Sequence, residues 1–184
     1  MILGISGKSG AGKSSISAYI ESHYGFKWID TDELARKIRE SNIEEIVSLV
    51  SNKEIIKDGK VDSKLLGAIL FDNKHLLDEY NKLIYLKLKD YLESEISKYE
   101  DVIVDSLFLP IMDVFSWCDY KIFVDCDDDV RKERIIKRDS ISQEYFSKRD
   151  ENGLIYNKND FDFVIVNNDD YTLSVKEVMG KIKR

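Results

Sequence analysis

A chain of 184 residues, 43% apolar and 34% charged, has the composition of one folded domain with room for a small insert, which excludes a disordered chain. Its 28 Lys and Arg against 35 Asp and Glu give a net charge of −7, which excludes a general affinity for nucleic-acid backbone and makes any anion site a local one. The longest unbroken apolar run, Leu107 to Met112, falls far below the roughly 20 residues of a membrane-spanning helix. Met1-Ile2-Leu3 leads straight into glycines without the basic and apolar stretches of a secretory signal, so a cytoplasmic protein is expected. Cys118 and Cys126 lack metal-ligand spacing and are expected as core thiols, and the polar-flanked His23 and His75 as surface residues without partners.

In chain order, the first strand is expected at Ile2 to Ser6. Of nine glycines, Gly4, Gly7, Gly10 and Gly12 fall within the first twelve residues, a clustering that needs a backbone reason. Residues 7 to 14 read GKSGAGKS, the Walker A spacing, with Gly7, Gly12, Lys13 and Ser14 at its fixed positions. An apolar strand precedes the loop and a helical pattern from Lys13 to Ser22, closed by Gly25, follows it. Loop and helix N–H groups can therefore converge on phosphate oxygens, an approach that side chains on the loop would block. Lys13 supplies a charge for the β- and γ-phosphates, and the Ser14 hydroxyl can ligate a bridging Mg2+.

The second strand, Lys27 to Ile29, runs into Asp30-Thr31-Asp32 and a helix from Asp32 to Glu40. Ligands of doubly wound sheets bind beyond the carboxyl ends of the strands. Asp32 can there take a proton from an attacking hydroxyl, with Arg36 one turn later holding an anionic acceptor; equally, Asp30 or Asp32 can simply cap the helix. From about Asn42 to Lys98 there is no strand signal. That stretch reads as a helical insert, with helices at Ile43 to Ser51, Ser63 to Phe71 and His75 to about Lys98.

A third strand, Val102 to Asp105, ends on the carboxylate expected of a magnesium-holding Walker B aspartate, or of a loop-facing carboxylate with no metal role. The fourth strand, Tyr120 to Asp125, is followed by Asp127, Asp128 and Asp129 at an expected helix start. Arg131, Arg134 and Arg138 then share one helix face, with Lys148 and Arg149 beyond. Such a face can neutralise a transferring phosphoryl group and belong to a lid at about residues 138 to 152, or it can be a solvated face balanced by the neighbouring carboxylates. Asn157-Lys158-Asn159-Asp160 and Asp150-Glu151-Asn152-Gly153 match guanine-reading and switch patterns, but four residues apart in a polar stretch they do not make a GTPase. The run Asp125 to Asp129 lacks the glycine and glutamate of a calcium loop. A fifth strand, Phe161 to Val166, and a helix from Thr172 to Lys183 complete an α/β pattern of strands covered on both faces.

Taken together, GKSGAGKSS at 7 to 15, IDTDELAR at 29 to 36, RKERIIKRD at 131 to 139 and FDFVIVNN at 161 to 168 resemble the dephospho-CoA kinases, small P-loop kinases that use ATP and Mg2+ to phosphorylate the ribose 3′-hydroxyl of dephospho-CoA. The resemblance runs over nearly the whole chain. It implies a doubly wound five-stranded parallel sheet in order 2-3-1-4-5 with a helical insert and a short lid, all within one kinase domain. It also implies ATP contacts from Gly7, Gly10, Ala11, Gly12, Lys13, Ser14 and Ser15, with Asn167 beside the adenine. Asp32 is implied as base, Arg36 as a substrate-holding residue and Arg138 at the phosphates. On the acceptor side, where Asp30 and Asp105 also lie, the chain departs from the family. It has Ser63-Lys64 where the family has a basic residue opening a helix, Tyr85-Leu86 where it has a His-Pro pair, and Ser106 to Ile111 where it has Pro-Leu-Leu and a glutamate. Arg36, Lys64 and Tyr85 are the positional candidates for holding the acceptor. A nucleoside or nucleoside monophosphate kinase is the alternative.

Overall fold

The computed structural model describes residues 1–151 and 153–182. It divides into two compact units, Met1–Asp30 with Glu93–Arg184, and Thr31–Leu92.

The first unit is built on a parallel sheet. Its strands are β1 (Ile2–Ser6), β2 (Lys27–Asp30), β5 (Val102–Asp105), β6 (Tyr120–Asp125) and β7 (Phe163–Val166), in the order β2-β5-β1-β6-β7. Leaving aside a hairpin outside this sheet, that is the expected 2-3-1-4-5. Ile2 of β1 lies opposite Val102, Leu3 opposite Tyr120, and Asp30 opposite Asp105. β5 is buried at all four positions, as continuous apolar runs in parallel sheets must be when helices cover both faces. α1 (Lys13–Tyr24) packs on β5 and β2, and α8 (Thr172–Lys181) on β7. The core they enclose holds Leu3, Ile5, Ile16, Ile20, Ile103, Ile122, Val124, Ile165 and Val175. α1 ends on Gly25 at φ +77, whose N–H bonds the Glu21 carbonyl, the usual left-handed stop. α6 (Asp128–Asp139) opens on the three aspartates as expected, the carboxylates facing the positive end of the helix dipole. Cys118 and Cys126 are free and buried; burial pushes the Cys118 thiol up to about 12, so it is inert at neutral pH.

The second unit contains α2 (Thr31–Ser41), α3 (Ile43–Val50), the two-residue strands β3 (Ile56–Lys57) and β4 (Lys60–Val61), α4 (Ser63–Phe71) and most of α5 (Lys74–Ile96). Ile46, Val50, Ile55, Leu66, Leu70, Tyr80 and Ile84 form its core. α4 starts on an Asp62 cap that accepts from the Lys64 and Leu65 N–H groups.

Three expectations need correction. The insert is not wholly helical, because Ile56–Lys57 and Lys60–Val61 pair antiparallel around Asp58 and Gly59, both at positive φ. Two residues per strand are too few to show a β period, and Asp-Gly was the turn signal to read. The segment expected as a lid holds a helix, α7 (Gln143–Glu151); Asn152, at its expected end, lies outside the described residues, as does Lys183 of the last expected helix. The fifth strand begins at Phe163 rather than Phe161, whose aromatic ring instead packs on Phe115 and Phe123. The histidines do have partners: His23 stacks on Tyr19 at 3.9 Å and His75 lies 3.7 Å from Glu79. Among the described residues no helix is long and apolar enough to cross a membrane.

Ile103 is fully buried in β5 between two parallel neighbours. Ile103→Ala should therefore destabilise the protein by roughly 2–5 kcal/mol, read as a lower midpoint in urea unfolding with an unchanged slope.

Candidate functional site

The loop from Gly7 to Gly12 leaves the end of β1 and enters α1. Its first intrahelical bond runs from the Ile16 N–H to the Gly12 carbonyl at 3.1 Å. The amides of Lys13, Ser14 and Ser15 therefore emerge at the helix N-terminus, where the dipole favours an anion. Gly12 holds φ +93, and a Cβ there would come 2.1 Å from the Asn167 amide nitrogen, so only glycine fits. That amide donates to the Ala11 carbonyl at 2.7 Å and is buried, so the Asn167 side chain is a brace behind the loop. Lys13 is buried, its ammonium donating to the Gly7 carbonyl at 3.0 Å and the Lys8 carbonyl at 3.4 Å. Ser14 and Ser15 are exposed on the first turn of α1.

Asp105 ends β5 at 2% exposure, and the buried Ser17 hydroxyl donates to its carboxylate at 3.1 Å. Ser17 is a site residue the sequence reading missed; its signal was its place one turn after Ser14, on the same helix face. Asp30 lies directly across from Asp105 in the β2–β5 register, so two carboxylates end adjacent strands beside the loop. Tyr156, also missed, donates its part-buried hydroxyl to the carbonyls of Gly7 (3.2 Å) and Leu107, tying the loop to the segment after Asp105. Burial pushes its phenol well up. No periodicity marks such a residue in a polar stretch.

The three arginines of α6 do not form one solvated face. Arg131 is 1% exposed and bound to the Ser9 carbonyl, Asp128 and Asp150. Arg134 donates to the Asn167 and Asn168 carbonyls, both at 2.9 Å. Arg138 is mostly exposed and forks onto Asp139, which also accepts from Arg149 at 2.9 Å; Arg149 in turn donates to the Ser9 hydroxyl at 3.0 Å. A cavity of about 40 Å3 lies between the loop and α7, lined by Lys8, Ser9, Leu107, Phe146, Arg149 and Leu154 among others. The guanine-reading match dissolves: the Asn157 side chain caps a turn and Lys158 pairs with Asp125.

Asp32, Arg36, Lys64 and Tyr85 belong to the second unit. Asp32 is exposed in the first turn of α2, and the exposed Arg36 reaches Glu40 at 3.0 Å and Glu33 at 3.8 Å. Lys64 is exposed in the first turn of α4, and Tyr85 is half-buried in α5.

The family model described as dephospho-CoA kinase matches residues 1–172. The chain belongs to the dephospho-CoA kinase family. A dephospho-CoA kinase of Fusobacterium nucleatum is 36% identical over 152 residues, 80% of this chain and 78% of that protein. A crystal structure from Thermus thermophilus superposes with a TM-score of 0.79 at 23% identity, covering 100% of this chain and 98% of that one. The dephospho-CoA kinase of Campylobacter jejuni gives 0.59 at 21% identity, over 98% of this chain and 96% of that one, which bears on the fold alone. Dephospho-CoA kinases transfer a phosphoryl group from ATP to dephospho-CoA to give coenzyme A, and this is the activity of the chain; the nucleoside and nucleoside monophosphate alternative is set aside.

Hydrogen bonds from Arg138, and then from Arg149, hold the Asp139 carboxyl below the usual value of 3.8 despite partial burial. A group lowered on folding stabilises the protein above its unfolded pKa and stops doing so as pH falls through the folded one. Wild type should therefore be more stable than Asp139→Asn at pH 7, and thermal melts should show the gap closing as pH drops below 3.8. An equal gap at both pH values would exclude this assignment.

Proposed function

We propose that Asp32 is the general base of this dephospho-CoA kinase and that the loop residues Gly7, Gly10, Ala11, Gly12, Lys13, Ser14 and Ser15 carry the ATP phosphates. The observation that carries this reading is the strand-loop-helix unit with a buried aspartate at its edge. Amides emerge at the start of α1, Lys13 is seated within the loop, and Ser17 orients Asp105.

The donor set suits magnesium. Among the described residues no group of three or more His, Cys, Asp and Glu gathers as a metal cage, but magnesium in phosphate sites takes one or two carboxylates together with phosphate oxygens and waters. Ser14 and Asp105 would hold it, and when bound it neutralises charge on the β- and γ-phosphates. Lys13 stabilises the charge that shifts onto the leaving phosphate. Arg138 meets the transferring phosphoryl group, exchanging an exposed pair with Asp139 for a phosphate; such pairs are worth about 0–1 kcal/mol and are readily given up. Asn167 shapes the loop from behind and lies on the adenine side.

On the acceptor side, the ribose 3′-hydroxyl gives its proton to the Asp32 carboxylate as its oxygen attacks the γ-phosphorus, and ADP leaves with the former bridging oxygen. Arg36 holds an acceptor phosphate in place of Glu33 and Glu40, and Lys64 and Tyr85 add contacts to the same substrate. Asp30 supports the site from the end of β2.

Lys13→Ala should abolish transfer in a coupled ADP-release assay with dephospho-CoA. Asp32→Asn should lower turnover about 100-fold or more while leaving ATP affinity nearly intact. Asp30→Asn is the control, and if it is the more damaging change the base is Asp30. Arg36→Ala should raise the KM for dephospho-CoA without changing that for ATP.

A further inference from the structure

We propose that Arg131 is a positioning residue for phosphoryl transfer, a shared anchor that makes the tip of the phosphate loop and the lid helix α7 settle together. The inference rests on the loop being the ATP phosphate site.

A guanidinium at 1% exposure is a rare burial, and this one is spent on three separate pieces of chain. One terminal nitrogen donates to the Ser9 carbonyl at 2.9 Å, at the tip of the phosphate loop. The Nε and the other terminal nitrogen reach the Asp128 carboxylate at 3.1 and 2.8 Å, at the start of its own helix. That second nitrogen also meets Asp150 of α7 at 2.9 Å, and the guanidinium lies 5.8 Å from the centre of the Phe146 ring, again on α7. Lys8, in the loop, reaches the same Asp128 oxygen at 3.4 Å. The backbone joins in: a Cβ at Gly10 would come within 2.8 Å of Ile135 and 3.0 Å of the Arg131 carbonyl, so the loop tip rests directly on this turn of α6.

A fork saturated in this way does not suit a phosphate ligand, because turning toward one would strand Asp150 and the Ser9 carbonyl. It suits a coupler. Lifting α7 takes Asp150 away from Arg131 and leaves the guanidinium held by Ser9 and Asp128 alone; seating α7 completes the set. The geometry therefore divides the work, with the Ser9 arm shaping the donor loop and the Asp150 arm holding the lid down over it.

The test is steady-state kinetics with saturating dephospho-CoA and varied ATP, well below the melting temperature of each variant. Asp150→Ala should lower kcat about tenfold with the KM for ATP within about twofold, because only the lid arm is cut. Arg131→Lys keeps the charge but loses the fork, so it should lower kcat similarly and also raise the KM for ATP about tenfold. The double variant should have the kcat of Arg131→Lys alone, since both changes break one unit. Asp150→Ala leaves Arg131 bound to Ser9 and Asp128, so it carries the test even if Arg131→Lys fails to fold. A role confined to stability would lower melting temperatures and leave both constants unchanged, which overturns the proposal. So would a double variant whose kcat loss is the product of the single losses. Normal turnover in Lys13→Ala would be a different failure, that of the loop as the ATP site.

Discussion

A glycine-rich phosphate loop has to keep its N–H groups free for an anion, and a backbone stripped of side chains cannot hold its own shape. Here the shape is imposed through the carbonyls. The Gly7 carbonyl accepts from Lys13 and Tyr156, that of Lys8 from the Ala11 N–H and Lys13, and that of Ser9 from Arg131. The Ala11 carbonyl accepts from Asn167, and that of Gly12 from the Ile16 N–H. With these carbonyls engaged, the shape of the loop is set in advance, and little reorganisation is needed when charge develops on a bound phosphate. The braces come from α1, α6, the residue after β7 and the segment after α7, so much of the first unit converges on the geometry of a few peptides.

The same convergence decides what could be read from the sequence. The loop was legible because its chemistry is local: spacing, a preceding apolar strand and a following helix lie within one short segment. The start of α6 was legible for the same reason. Asn167 and Tyr156, in contrast, act on partners 156 and 149 residues away in the chain, and no period or spacing encodes such a pairing. The arginines of α6 show the limit from another side. Their spacing correctly placed them on one helical face, but whether a face is solvated or buried depends on what docks against it. The loop tip and α7 cover Arg131, the Asn167–Asn168 carbonyls take Arg134, and Arg138 is left mostly exposed.

Short elements were hidden for a different reason. The β3–β4 hairpin has too few residues to establish a period, and only its Asp58-Gly59 turn chemistry betrays it. Family resemblance carried the strand order correctly, since a parallel sheet with covering helices leaves little freedom once the crossovers are right-handed and the phosphate loop follows β1.

The two compact units divide the chain between Asp30 and Thr31, so the donor loop and the proposed base and acceptor residues belong to different units of one chain. The physical character of the arginines follows that division of labour. The Arg131 guanidinium is buried beneath two carboxylates and a carbonyl drawn from three pieces of chain, and it is suited to holding protein against protein. Arg36 sits half-exposed between Glu33 and Glu40 on one helix, in pairs that water and salt already weaken. An arginine held that loosely can exchange its carboxylates for the singly charged phosphates of an acceptor diphosphate with a bidentate fit, the role proposed for it above. Residue type alone does not separate a binding arginine from a bracing one; the depth of its present partners does.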